Sequence, residues 1–189
     1  MIRLIQLLRK EASGSQIAEF AIGLPFLMVI LVGIFDFGQA FNTKQHINTA
    51  AREAARFAAN QSTVDWSQGA SAPSMDATRD LVDAYLRNAH LNDCGLHRAS
   101  ANYNPLTVTW TYKAFSNCQG NVTNAVKVVI QRANTFVLSD GTNVISTKVT
   151  VTYPLEWHFN SVMKVLLPGS NYKGPIFTIS SDATMANLT

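Results

Sequence analysis

Hydrophobic and polar positions follow three patterns along this chain, and each predicts a different element. Between Phe20 and Phe35 sixteen consecutive residues carry no charge, and tolerating Asp36 and Gln39 extends the apolar stretch to Phe41. At about 1.5 Å per residue a helix over that stretch covers roughly 33 Å, close to the ~30 Å hydrocarbon thickness of a bilayer. One membrane-spanning helix is expected there, and no second stretch qualifies. Pro25 lacks a backbone donor and predicts a local kink. Asp36, flanked by Phe35 and Phe37, is expected at the outer membrane interface, where a charge costs little. From Gln39 to Asn60 the chain is rich in alanine and other good helix formers and has no proline or glycine, so the helix is expected to run on out of the membrane. Ala50, Ala54, Phe57 and Ala58 fall on one side of it. That stripe suits either a packing stem, against its own domain or another helix, or a solvated helix with a modest apolar face.

Residues 61 to 74 turn polar and small and read as a loop. Ser74 is placed to cap a second helix from about Met75 to Leu91, with Asp76 in the first turn and Leu81, Val82, Tyr85, Leu86 and Ala89 on the buried side. A period of two then takes over. Leu106, Val108, Trp110 and Tyr112 alternate with polar residues, as do Ile145, Thr147, Val149, Val151 and Tyr153, which predicts strands with one covered face. A third strand is expected around Val126 to Arg132, a turn at Asp140-Gly141, and a last strand over Ile176 to Met185. The predicted fold class is α+β: an N-terminal transmembrane helix extended into a long helix, a second short helix, and a small antiparallel β-sheet. The predicted organisation is a cytoplasmic leader over 1–14, a transmembrane and extended helix over 15–60, and an exported α+β domain over 61–189.

Composition changes the picture in one respect. The 189 residues are 47% hydrophobic and only 14% charged, with a formal net charge of +3 that could suggest nucleic acid. Arg3, Arg9 and Lys10 precede the span with a single acid, Glu11, so twelve bases face eleven acids in the remainder. The basic character belongs to the leader. By the positive-inside rule it holds the N-terminus in the cytoplasm and sends residues after about 42 across the membrane. No nucleic-acid partner is expected.

The junction between leader and span carries the most specific signal. An ordinary secretory signal is cut after its apolar core, and Gly38 and Ala40 offer such a site with the bulky Phe41 beyond it. Here a glycine instead closes the polar leader, in Gly14-Ser15-Gln16-Ile17-Ala18-Glu19-Phe20. The arrangement resembles the type III signal of prepilins, which a membrane-embedded peptidase cuts on the cytoplasmic side after the glycine. The resemblance implies processing at Gly14-Ser15 with Glu19 and Phe20 in the recognition sequence. Glu19 lies in the first turn of the apolar helix, where the helix dipole favours negative charge, and an acid driven to mid-bilayer would cost on the order of 2.5 kcal/mol or more without a partner. In pilin-like assemblies the new amine, here on Ser15, is thought to meet this glutamate on a neighbouring subunit and set register.

The sequence is also similar to TadE-like minor pseudopilins of the tight-adherence (Flp, type IVc) pilus. Glu19-Phe20-Ala21 through Leu24-Pro25, Gly33-Ile34-Phe35-Asp36-Phe37-Gly38 and Ala50-Ala51-Arg52-Glu53-Ala54-Ala55-Arg56 carry the resemblance. The position of Asp36 is often Glu in that family. Val149 to Pro154, Leu166-Leu167-Pro168-Gly169 and the final strand extend the likeness more loosely. The resemblance implies a non-enzymatic minor pseudopilin that primes or tips pilus assembly. Its implied partners are a prepilin peptidase, other pseudopilins and pilin subunits, an inner-membrane assembly platform and membrane lipid. Its implied location is the bacterial inner membrane and, once assembled, the pilus or cell surface. The competing reading is an uncleaved, membrane-anchored binding module, an adhesin or a sensor.

Chemistry is sparse. No nucleophile elbow, Walker loop, dinucleotide fingerprint or His-Glu-x-x-His occurs, and no cofactor is expected. His46, His90, His97 and His158 are scattered, as are Trp66, Trp110 and Trp157, which read as packing residues. The two cysteines, Cys94 and Cys118, fall in the exported, oxidising region and are expected to pair, closing a loop of about 25 residues worth roughly 3 kcal/mol. The alternative is a metal held by His90, Cys94, His97 and Cys118, a spacing that matches no familiar zinc pattern.

Overall fold

The computed structural model describes residues 2–114, 125–155, 157–159 and 177–187, with side chains from residue 16 onward. Five strands and two α-helices make up its regular structure, with two 3₁₀ segments between them. Helix α1 spans Ile2–Ala59 and continues helical through Pro25. A 3₁₀ segment, Val64–Ser71, leads to α2, Pro73–Asn88. A short 3₁₀ turn at Leu96–Arg98 precedes β1 (Ala101–Asn104), β2 (Thr109–Lys113), β3 (Lys127–Val137), β4 (Asn143–Leu155) and β5 (Phe177–Ala186). The strands form one antiparallel sheet in chain order. The fold is thus α+β, with a long apolar N-terminal helix and a five-stranded antiparallel sheet.

The described residues divide into two compact units: 2–39 with 157–159, and 40–155 with 177–187. In the second unit the core comes from the registered faces of the sheet. Tyr103, Trp110, Ile130, Val149 and Ala183 lie in one row across the five strands, and Ala101, Tyr112, Val128, Val151 and Ser181 in the next. The first row tapers from aromatic rings to Ala183, and the second, beyond Ala101 at the edge, from Tyr112 to Ser181. The residues of α1 fill the complementary space: Ile47, Ala51, Ala54, Ala55 and Ala58 are fully buried in the same cluster as Met75, Val82, Leu86, Trp110, Tyr112 and Ile130. Alanines at i and i+4 give that face almost no relief, so the helix backbone can lie close to the sheet. Close approach at the narrow end is visible in hydrogen bonds, because Asn48 accepts from the Ser181 hydroxyl at 3.3 Å and the Lys44 ammonium reaches the Ser180 carbonyl. The alanine stripe is therefore a stem packed on its own sheet.

Several local expectations are corrected. Ser74 does not cap α2: Ala72 holds the N-cap position, Pro73 opens the helix, and no side chain of the N-cap bonds to it. The cap comes from Asp65, nine residues upstream, whose carboxylate accepts the Ser74 N–H at 2.7 Å and the Ser74 hydroxyl at 3.0 Å. A carboxylate against the first-turn amides does the work of an N-cap side chain and complements the helix dipole. The helix ends at Asn88 instead of Leu91, and its buried side includes Asp83 as well as Val82 and Leu86. Leu106 and Val108 are not strand residues. Asn104-Pro105 stops β1, the Asn104 side chain accepts the Leu106 N–H, and Val108 takes a φ of 46°, so Leu106 is 92% exposed in a turn. β1 itself was unforeseen, since its alternation of Ala101 and Tyr103 with Asn102 and Asn104 is only four residues long.

β3 runs on to Val137, past the expected end at Arg132. A bulge between Gln131 and Asn134 sets two residues of β3 against one of β4. Beyond it the inward face changes, and Ser146 is buried while Ile145 is 60% exposed. The expected turn is present: Gly141 takes a φ of 86°, and the Asp140 carboxylate accepts the Thr142 N–H at 2.9 Å. β5 covers the expected last strand except for Ile176, which lies outside the described residues, as do Leu166 to Gly169 and the apolar run after Phe159.

Candidate functional site

The expected processing sequence lies inside α1. Gly14 and Ser15 are helical in backbone, and Glu19 and Phe20 are exposed on the helix one turn further on. Ser15 and Glu19 are four residues apart, which places them over one another on one helix face. Ile17, Phe20, Ile22, Phe26, Leu27, Met28, Ile30, Ile34, Phe35, Phe37 and Phe41 all keep large exposed surfaces. A water-soluble protein rarely leaves so many apolar side chains contiguous and uncovered. The helix from Gln16 is long and apolar enough to cross a membrane, and its apolar window is not buried by the rest of the chain. It fits a single-pass membrane anchor.

At the far end of this apolar helix, Asp36 has a built environment. Its carboxylate is 2% exposed and accepts the backbone N–H groups of His158 at 3.0 Å and Phe159 at 2.8 Å, with His158 Nδ1 at 3.1 Å. Phe37 meets the Trp157 ring edge-on at 5.5 Å. Two amide donors replace the water that an interfacial carboxylate would otherwise hold, so a charge here is stabilised by the protein itself. Sequence reasoning put Asp36 at the interface and missed its partners, which lie 122 and 123 residues away.

A second cluster of polar chemistry surrounds Cys94. The cysteine is buried and has a φ of 54°, followed by Gly95 at 75°, in the loop between α2 and β1. Cys118, its expected partner, lies outside the described residues. The alternative metal set is not brought together as drawn: His90 is exposed, and the His97 ring faces carboxylates, with Nδ1 at 2.9 Å from Asp93 Oδ2 and 3.9 Å from Asp83 Oδ1. Burial raises the Asp83 carboxyl above the usual range, and the adjacent Asp93 adds to this while Arg87 opposes it. Asp93 moves the other way. Burial works against its charge, but hydrogen bonds from His97, from Asp83 and from the Gly95 amide hold it low.

Arg132 was read only as the end of a strand, yet it is the second largest fully buried side chain. It continues the inward series Val128, Ile130, Arg132 on β3. Its guanidinium donates to the carbonyls of Ala58 and Gln61, the latter at 3.0 Å, and lies 5.0 Å from the Trp66 ring centre. A cation therefore closes the C-terminal end of α1, where carbonyls lack helical partners and the dipole is negative. The signal was present in the sequence as a charge at an inward position of a period-two strand.

Compared with known families, residues 14–56 match the TadE-like protein model. The matched segment holds the Gly14 junction, the whole apolar span, Asp36 and most of the alanine stem, so this part of the chain is TadE-like and points to a protein associated with a Tad pilus. No curated protein and no solved structure gives a significant match.

Proposed function

We propose that the chain is a minor pseudopilin of a tight-adherence pilus, inserted as a precursor, cut after Gly14 by a prepilin peptidase, and drawn by an inner-membrane assembly platform into a complex that primes or tips the filament. The single observation that carries the reading is the TadE-like segment at 14–56, whose first residue is the glycine of the proposed cut. The division of labour along α1 supports it. Residues 16–41 keep their apolar side chains outward, for lipid or for neighbouring pilin helices, whereas Ile47 to Ala58 are committed to the sheet.

In this mechanism cleavage creates an amine on Ser15. Glu19, on the same helix face, offers it a carboxylate or meets the amine of the next subunit, and that ion pair in apolar surroundings sets the register of helices that otherwise slide on featureless contacts. The 61–189 region is exported, and its surface selects other pseudopilins and pilin subunits. Intact mass of the protein from membranes, with and without the peptidase, tests the reading. A mature chain starting at Ser15, abolished by Gly14→Val, is the expected result, and Glu19→Ala is expected to insert normally while abolishing piliation. An intact Met1 in both samples would indicate an uncleaved anchored binding module, and a start at Phe41 a secreted domain.

A further inference from the structure

We propose that Asp83, Asp93 and His97 form a binding site for a divalent transition-metal cation of the zinc class. The side chain of Asp83 is 0% exposed, and among the described residues its polar neighbours are the Arg87 guanidinium and the side chain of Asp93, with which it shares a hydrogen bond; no backbone or hydroxyl donor serves either oxygen. Its one close ion pair, with Arg87, is made at Oδ2. Oδ1 is left facing His97 Nδ1 and the Asp93 carboxylate, and one ligand atom from each of the three residues lies within 4.8 Å of the others. Burial takes these oxygens from water, and a cation held between Asp83, Asp93 and His97 would satisfy all three groups at once in place of the hydrogen bonds they make to one another.

The distances fit a metal's coordination shell. With bonds of about 2.0–2.1 Å, adjacent ligands of a tetrahedral ion lie roughly 3.3 Å apart. The observed 2.9 Å from Asp93 Oδ2 to His97 Nδ1 and 3.9 Å from Asp83 Oδ1 to the same nitrogen bracket that separation. Binding would replace the His97–Asp93 hydrogen bond: Nδ1 gives up its proton to solvent and turns its lone pair to the ion, as metal ligation of an imidazole requires. Two carboxylates and an imidazole suit Zn²⁺ or Mn²⁺ better than Ca²⁺, which takes six or more oxygens. His97 is 40% exposed at the rim, leaving the fourth position open to water or to a group from a partner. The ligands come from the end of α2 and from the loop that carries Cys94, so the ion would tie that loop to the helix independently of any disulfide.

The test uses the tag-free full chain in detergent micelles, stripped with EDTA and titrated with ZnCl₂ by calorimetry. One saturable site, a raised melting temperature on Zn²⁺ addition, and at least a tenfold loss of affinity in His97→Ala and Asp93→Asn are expected, with His90→Ala binding as wild type. Both variants lie at partly exposed positions, and unchanged melting without metal shows that they fold. Absence of saturable Zn²⁺ binding overturns the proposal, as does binding that His97→Ala leaves unchanged or a site that takes Ca²⁺ in preference to Zn²⁺.

Discussion

Arg132 shows how one side chain can secure the end of an element far away in sequence. Its charge has no carboxylate in hydrogen-bonding contact among the described residues, and burial lowers its tendency to hold a proton, with Asp65 partly offsetting this. The compensation is the pair of carbonyls at the end of α1, Ala58 and Gln61. The planar fork serves the two carbonyls from two separate nitrogens held in a fixed plane, a span that a single ammonium nitrogen does not match. Replacing it with Met keeps the bulk and leaves those acceptors buried without donors. Arg132→Met is therefore expected to cost about 2 kcal/mol, read as a lower urea midpoint of the full chain in detergent. Arg132→Lys is expected to recover less than half of that loss, and an unchanged midpoint in the Met variant would remove the capping role. Asp36 follows the same logic in the other unit, where a carboxylate is held by backbone amides of a distant segment.

At the scale of the element, α1 is two helices in one. Its first apolar part is uncovered, and glycines 23, 33 and 38 each have open space where a Cβ would point. Its alanine part has none to spare: Ala51, Ala54, Ala55 and Ala58 are fully buried against the tapering rows of the sheet. Leucine at Ala54 is expected to cost about 1–3 kcal/mol through overpacking, whereas alanine at Gly33 is expected to leave the stability of the second unit unchanged. Equal tolerance at the two positions, measured by chemical denaturation, would mean that the stem does not pack as described. α2 illustrates a different dependence. Its first turn is capped by Asp65 of the preceding 3₁₀ segment and not by a residue of its own N-cap.

For the molecule as a whole, the second unit combines a modest core with a loop, between α2 and β1, in which His90, Cys94 and Gly95 all have positive φ. Such a conformation is not one that the loop would adopt unaided, since left-handed geometry is strained for non-glycine residues. A bond from Cys94 to Cys118 would restrain it from outside. The full chain, taken from membranes without reductant, is expected to be about 2 Da lighter than after reduction, and reduction is expected to lower its stability by roughly 3 kcal/mol. Two alkylatable thiols in the unreduced protein would exclude the bond.

What could be read in the residues and what could not divides by range. The apolar span, the alanine-rich continuation, the second helix, four of the strands and the Asp140-Gly141 turn were legible, because each follows from local periodicity, helix propensity or turn chemistry. The TadE-like character of residues 14–56 was legible as well, since it is carried by short runs of adjacent residues. Tertiary structure alone decided that the alanine stripe faces its own sheet, because a stripe of small residues states that something packs closely and not what. It also decided the partners of Asp36, Asp65 and Arg132, the fifth strand β1, and the meeting of Asp83 with Asp93 and His97. Each of these pairs groups that are distant in sequence or lacks a periodic signal. A buried polar side chain is chosen for the one donor or acceptor it meets, and the folded chain determines which one that is.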